Sequence, residues 1–415
     1  MPRLVDIGKV LHISSFPDWD YISEWYTDLA STKSKTSPEV KETLAKILTG
    51  NENASELEKA RLIYNYIVKE IRYSSVSFRQ SGLIPQKAAD VITTKIGDCK
   101  DVSTLFVALC KEAGLNAQLV LVNTRDNGLQ DLALPSIEFN HCIAKLNVGA
   151  DEYYIELTSD NMPFSTINES LKNAFTLDVT GNTTLTVEPK YLSPKTSVKN
   201  TVWRTSDIKF DGMKMIVAKK SYKTGAFAAS MRNSFRHKGE EEQFKEMTES
   251  ISSDYQSMKM KELKFDANLD NSSDTVSYYY AYDVNNAMTS IGDLFILKIP
   301  FSDGLEPFEF LSNEKRVYDI EFWKILSSEN TKEVMTFEIP KGKKLAELPK
   351  NISYKTNFAE YNLTFTKTAT SITITREFKV LADMIGAKQY EEAKKFFENV
   401  VTADKQQIGF KNVTP

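Results

Sequence analysis

One stretch limits the fold more than any other. Residues 97–101 read Gly-Asp-Cys-Lys-Asp, and Val102, Leu105, Phe106, Leu109, Cys110 and Ala113 follow before Gly114. Apolar residues at three- and four-residue spacing make one face of a helix. Gly114 sits where a left-handed C-terminal cap belongs. A helix of about four turns therefore starts at or beside Cys99. A thiol there feels the positive end of the helix macrodipole, which favours thiolate. Lys100 adds positive charge, and Asp98 and Asp101 oppose it. Gly97 permits a sharp turn or a close backbone approach. N–H groups at such a helix end can hold an oxyanion. Against this, cysteine is among the most buried residue types, and mid-helix Cys110 reads as core.

A cysteine nucleophile needs a base and a group that orients the base. Gln118–Val122 reads as a strand, and 123–138 as a long loop of the kind that is often functional. Phe139–Leu146 and Tyr153–Leu157 read as strands joined around Asn147–Ala150. Pairing Leu146 with Asp151 puts His141 directly opposite Glu156. Alternation along the strand then turns Cys142 away from the site, into packing. Asp160 is the reserve acid. It would lie ~13 Å further on if the strand continued, unless a turn brings it back.

Upstream, Trp19–Leu29 and Pro38–Leu48 read as short helices. A clear helix covers 55–71, with a capping box at Ser55 and Glu58 and an apolar stripe of Ala60, Ile63, Ile67 and Ile71. A polar loop from Ser74 to Gly82 and a short helix from Pro85 to Ile92 precede the cysteine. Downstream the texture changes near 190, where Lys190–Lys199 is a Ser/Pro/Lys linker. Beyond it come alternating strand-like runs: Thr201–Phe210, Met213–Tyr222, Val276–Asp283, Leu294–Ile299, Val317–Phe322, Glu333–Ile339, Tyr361–Thr366 and Ser371–Phe378. Helices at Glu240–Met258 and Ile385–Val400 interrupt them, and a last strand falls near Ile408–Val413. This pattern fits a β-sandwich. It carries no cysteine and one histidine, His237.

Composition removes other classes. The chain has 415 residues, 41% apolar and 11% aromatic, with a net charge of −4. That excludes a disordered chain and the basic footprint of a nucleic-acid binder. No apolar run reaches the ~18 residues of a membrane span. Three cysteines (99, 110 and 142) and three histidines (12, 141 and 237) match no common zinc spacing, C-x-x-C pair or disulfide scaffold. Nucleotide-binding glycine loops are missing too. The N-terminus lacks the apolar region of a signal peptide.

Several segments together resemble the transglutaminase-like superfamily, a papain-like Cys-His-Asp fold. They are Ile71-Arg72-Tyr73, Pro85 with Ala88, Gly97–Asp101, Gly114–Ala117, Asn140-His141 and Tyr154–Thr158. The resemblance covers roughly 15–185. It implies an α+β fold: a papain-like core, with a cysteine-bearing helix packed on an antiparallel sheet, and a β-rich, sandwich-like region with two helices. The layout expected is an N-terminal extension (1–14), the cysteine domain (15–190), a β-rich domain with a helix (200–310) and a β-sandwich-like domain with a helix (311–415).

The resemblance makes Cys99 the nucleophile, His141 the base and then acid, and Glu156 the orienting acid. The family has Asp-Pro-Thr where this chain has Glu156-Leu157-Thr158, so Asp160 stays the alternative. Gln86 and Tyr73 are expected as cleft or oxyanion residues. The chemistry implied is acyl transfer on a peptide or protein amide, by hydrolysis or transamidation, with no metal or cofactor. The alternative is an inactive binding or scaffold protein that recognises peptide or cell-envelope material, with the β-rich half as the binding surface. The relatives are multidomain bacterial proteins with a further β domain upstream. They are exported, which points to a periplasmic or cell-surface location and a truncated start.

Overall fold

The computed structural model describes residues 2–75, 82–128, 132–180, 186–253, 255, 257–269, 273–326 and 329–413. They form two compact units. The first holds 2–199 with 273–274, and the second holds the other described residues from 200 onward.

The first unit has six α-helices among the described residues, and four of them begin where a side chain caps the first turn. The six are α1 (Leu4–Ile7), α2 (Trp19–Ser31), α3 (Pro38–Leu48) and α4 (Glu56–Glu70), then α5 (Ala88–Thr94) and α6 (Cys99–Glu112). The Asp18 carboxylate accepts from the Tyr21 N–H at 2.8 Å, and the Ser55 hydroxyl from the Glu58 N–H at 3.3 Å. Each such cap satisfies an orphan donor of the first turn. The full reciprocal box falls on α6, between Asp98 and Asp101. That helix ends in a Schellman motif: Leu115 N–H donates to the Cys110 carbonyl at 2.8 Å, and Gly114 N–H to Lys111 at 3.1 Å. Gly114 has φ +76°, which only glycine adopts freely.

Helix α6 is the centre of this unit. Val102, Leu105, Phe106 and Leu109 are at most 1% exposed. Each such burial contributes about 1.5–3 kcal/mol. Its partners are α3, α4 and α5 together with a five-stranded antiparallel sheet. The strands are β3 (Asn116–Asn123), β4 (His141–Val148), β5 (Asp151–Ile155), β6 (Phe175–Val179) and β7 (Lys190–Tyr191), in the order β5-β4-β3-β6-β7. A short parallel pair, β1 (Arg72–Tyr73) and β2 (Ile96–Gly97), leads into α6. Of the polar loop expected over Ser74–Gly82, residues 76–81 lie outside the described residues, as do 129–131 of the long loop.

The β4–β5 hairpin departs from its expected register by two residues. Val148 pairs with Asp151 and Ile155 with Ala144, so Glu156 falls diagonal to His141, just beyond the ladder. The reason is the turn. Gly149, at φ +59°, takes the first central position of a two-residue loop, which such hairpins require. A two-residue shift keeps every side chain on its original face.

The second unit is one core under two sheets. Its strands are β8 (Thr201–Asp211), β9 (Lys214–Thr224), β10 (Met258–Phe265), β11 (Thr275–Val284), β12 (Met288–Ile291), β13 (Leu294–Lys298), β14 (Asn330–Glu338), β15 (Lys343–Glu347), β16 (Ile352–Lys355), β17 (Ala359–Lys367), β18 (Ser371–Val380) and β19 (Gln407–Asn412). Helices α7 (Ala226–Phe235), α8 (Glu240–Ser252) and α9 (Tyr390–Asp404) accompany them. The eight-stranded sheet runs β10-β11-β9-β8-β14-β18-β17-β16, and the four-stranded sheet β12-β13-β19-β15. Only the β8–β14 pair of the larger sheet is parallel.

That parallel pair joins strands from 200–310 to strands from 311–415, so the two stretches share one sheet where separate domains were expected. Val317–Phe322 is not a strand. It makes a single bridge, Ile320 to Ile385, and then a helical turn at Phe322–Lys324. The expected helix 240–258 stops at Ser252, and Met258 opens β10. Among the described residues no helix is long and apolar enough to cross a membrane.

Candidate active site

Cys99 is the first residue of α6, and tight packing puts it there. A Cβ on Gly97 would stand 2.9 Å from the Asp101 Cβ and 3.3 Å from Val102 Cγ1, so only glycine lets the chain enter the helix this closely. The Asp98 carboxylate accepts from the Asp101 N–H at 3.3 Å, and the Asp101 carboxylate returns the contact from the Asp98 N–H at 3.1 Å. Lys100 pairs with Asp98. One turn along α6, the Ser103 hydroxyl donates to the Cys142 carbonyl at 3.2 Å, which fastens the helix to β4 beside His141.

His141 is the first residue of β4 and shares a cavity with Cys99. Its Nε2 lies 2.7 Å from Glu156 Oε2. The ring nitrogen left for the thiol is therefore Nδ1. Glu156 is 1% exposed, and its other oxygen accepts from the Thr158 N–H at 2.8 Å and the Thr158 hydroxyl at 2.7 Å. The longer glutamate side chain bridges the diagonal that the hairpin register creates.

These contacts set the charges. Burial alone would lower the His141 imidazole, but hydrogen bonds to Cys99 and Glu156 and their negative charge outweigh it and push it up to about 10. Burial alone would raise the Glu156 carboxyl, but the bonds from His141 and Thr158 hold it below its ordinary value. Ionised acid and imidazolium stabilise each other.

The other expected residues fall differently. Asp160 is exposed and accepts from the Asn161 amide at 2.9 Å, while the His141 ring is met by Glu156. The Gln86 amide donates to Asp101 at 2.6 Å, and its own N–H to the same carboxylate at 2.7 Å, so it supports the cap of α6 from behind. Tyr73 pairs with Gly97 at the helix entrance. Burial, then the negative charge of Cys99, Asp98 and Glu156, push its phenol up to about 12. Cys110 is fully buried, and burial pushes its thiol up. Cys142 is buried on the helix side of the sheet with Ala144 and Leu146 and lines the same cavity as Cys99 and His141, where it was expected to face away from the site. His141 has the opposite parity and reaches the thiol because it stands at the end of its strand.

The cavity at Cys99 and His141 measures about 70 Å³. Its walls are Trp25, Tyr26, Leu83, Leu121, Ile137 and Phe139, with Asn140 at the rim. Sequence reading missed the α2 pair Trp25 and Tyr26, since nothing in an amphipathic helix marks which aromatic faces a site. Burial, with Cys142, Cys99 and the aspartates nearby, raises the Tyr26 phenol well above its ordinary value.

A cysteine-led helix packed on an antiparallel sheet, with a histidine opening the neighbouring strand, is a papain-like arrangement. Residues 42–154 match the transglutaminase-like superfamily, and the first unit is a transglutaminase-like core. Residues 293–410 match DUF3858, a domain of unknown function with a solved structure. No curated protein matches the chain. A crystal structure at 2.00 Å of a candidate protease from Parabacteroides distasonis ATCC 8503 shares the fold, with TM-score 0.58 and 12% identity. The match covers 96% of this chain, which spans 59% of the length of that one.

Proposed function

We propose that the first unit is a cysteine acyl-transfer enzyme that cleaves amide bonds in peptides or proteins. The family match supports a protease- or transglutaminase-like activity in general. The finer reading rests on one observation: the His141–Glu156 contact of 2.7 Å, closed off by Thr158, beside the half-buried Cys99.

The chemistry follows from these atoms. Cys99 Sγ bonds to the amide carbon, and its proton passes to His141. N–H groups at the start of α6 hold the oxyanion. When the tetrahedral intermediate collapses, the C–N bond breaks and His141 returns the proton to the leaving amine. The acyl group then passes to water or to an amine: His141 takes a proton from that acceptor, the C–S bond breaks, and Cys99 sulfur leaves as thiolate beside the protonated His141, which restores the starting pair. Glu156 keeps the ring oriented and stabilises its charged form. Water is the default acceptor. The apolar walls suit an apolar side chain beside the cleaved bond.

The test is covalent capture. A set of peptide aldehydes with apolar side chains is incubated with the full chain, and adducts are located by mass spectrometry. The expected result is one adduct, on Cys99. Cys99→Ala loses it, and loses peptide hydrolysis, while its melting temperature stays near wild type. No adduct across the set, or collapse of the alanine variant, overturns the enzymatic reading and leaves a binding or scaffold protein.

A further inference from the structure

The second unit holds a cluster of charge where its sheet should be apolar. Strand register places Arg204 and Ser206 of β8, Lys219, Ser221 and Lys223 of β9, Glu333 of β14 and three tyrosines of β11 on one face. Tyr278, Tyr280 and Tyr282 stack along it, with centroids 5.8 and 6.2 Å apart. The same face supplies the apolar core further along, through Ile208, Val217, Met335 and Phe337.

Part of this cluster is self-contained. Lys219 meets Glu333 at 2.8 Å, and Ser302 donates its N–H to the same carboxylate at 3.0 Å. Two cations are not. Arg204 is 5% exposed and pairs with Asp303 through one terminal nitrogen, while its buried Nε has no partner. The Lys223 ammonium is half-buried, rests 3.3 Å from the Met231 sulfur and hydrogen-bonds the Tyr278 phenol, with no carboxylate against it among the described residues. Burying such groups costs free energy unless an anion compensates them. Burial lowers the Lys223 ammonium. Burial would raise the Tyr278 phenol, but Lys223 and Arg204 outweigh it and bring it down. The Tyr278 shift registers the positive potential of the two cations.

Arg204 and Lys223 line one cavity of about 240 Å³ with the three tyrosines, closed by Met231, Phe235, Met247 and Phe301. We propose that this cavity binds a small organic carboxylate with an apolar or aromatic body. The charges favour a monoanion: two cations stand against the single carboxylate of Asp303, and the Lys219–Glu333 pair cancels itself. The volume lies just below the ~300–1,000 Å³ of common ligand pockets, which suits a fragment-sized molecule. Tyrosine faces and the methionine sulfurs receive its apolar body.

Phenylacetate is the probe, titrated calorimetrically into the full chain, with phenylacetamide as its uncharged counterpart. Phenylacetate is expected to bind, and the amide at least about tenfold more weakly. Lys223→Met should abolish phenylacetate binding and raise the melting temperature without ligand, because it removes a half-buried charge that no carboxylate faces. Tyr278→Phe keeps the fold and should weaken binding less. The proposal fails if neither compound binds up to about 10 mM, if both bind alike, or if Lys223→Met binds as wild type does. It stands or falls independently of the thiol site, whose hydrolysis is measured on the same samples.

Discussion

Gln86 holds Asp101 with two hydrogen bonds, 2.7 Å from its backbone N–H and 2.6 Å from its side-chain amide. Asp101 is 1% exposed and in turn caps the helix that carries Cys99. A residue expected at the cleft thus acts one layer behind it. Gln86→Ala should cost about 1.5–3 kcal/mol of stability, the range for a hydrogen bond to a charged group. Urea unfolding measures this. Unchanged stability with hydrolysis down a hundredfold or more would return Gln86 to the oxyanion role.

The two acids can be separated. Glu156→Gln keeps the shape but loses the charge facing His141, and turnover should drop by about 10²–10⁴. Asp160→Asn alters an exposed side chain and should leave turnover near wild type. Thr158→Val removes one of the two donors on Glu156 Oε1 and should fall between them. Steady-state kinetics on one peptide substrate ranks the three, and the reverse order of the acids would reject the His141–Glu156 pairing.

His141 gives stability a pH signature. Its folded pKa, pushed up to about 10, lies above the ordinary 6.5. The stabilisation it contributes is complete below about pH 6.5 and is lost as the pH rises through 10. The melting-temperature gap between wild type and His141→Gln should therefore narrow steadily from pH 6.5 to pH 10. A gap that is constant or widens over that range contradicts a charged imidazole in the resting site.

Gly97 marks how tightly the chain enters α6. Gly97→Ala forces a carbon to within 2.9 Å of Asp101 Cβ. Overpacking of this kind typically costs about 1–3 kcal/mol. The variant should unfold at lower urea concentration and label more slowly at Cys99 with iodoacetamide. Wild-type behaviour on both counts would mean that the helix start can yield.

Much of the first unit is written locally. The spacing of Val102, Leu105, Phe106 and Leu109 fixes α6, Gly114 ends it, and Ser55 and Pro38 mark helix starts that the structure also has. Nothing local marks strand β6: Phe175–Val179 carries no turn signal of its own and is held by pairing with β3. In the second unit Val317–Phe322 has strand-like composition but makes only one bridge among the described residues.

The sequence by itself determined which residues can do thiol chemistry and that Cys99 opens a helix, because helix periodicity and capping act over a few residues. Only the tertiary structure decided that Glu156 meets His141 on a diagonal, that Gln86 supports Asp101, and that one sheet unites 200–310 with 311–415. Those outcomes depend on strand register and on contacts between distant segments. Both are set by how the whole face packs, which no local stretch of residues encodes.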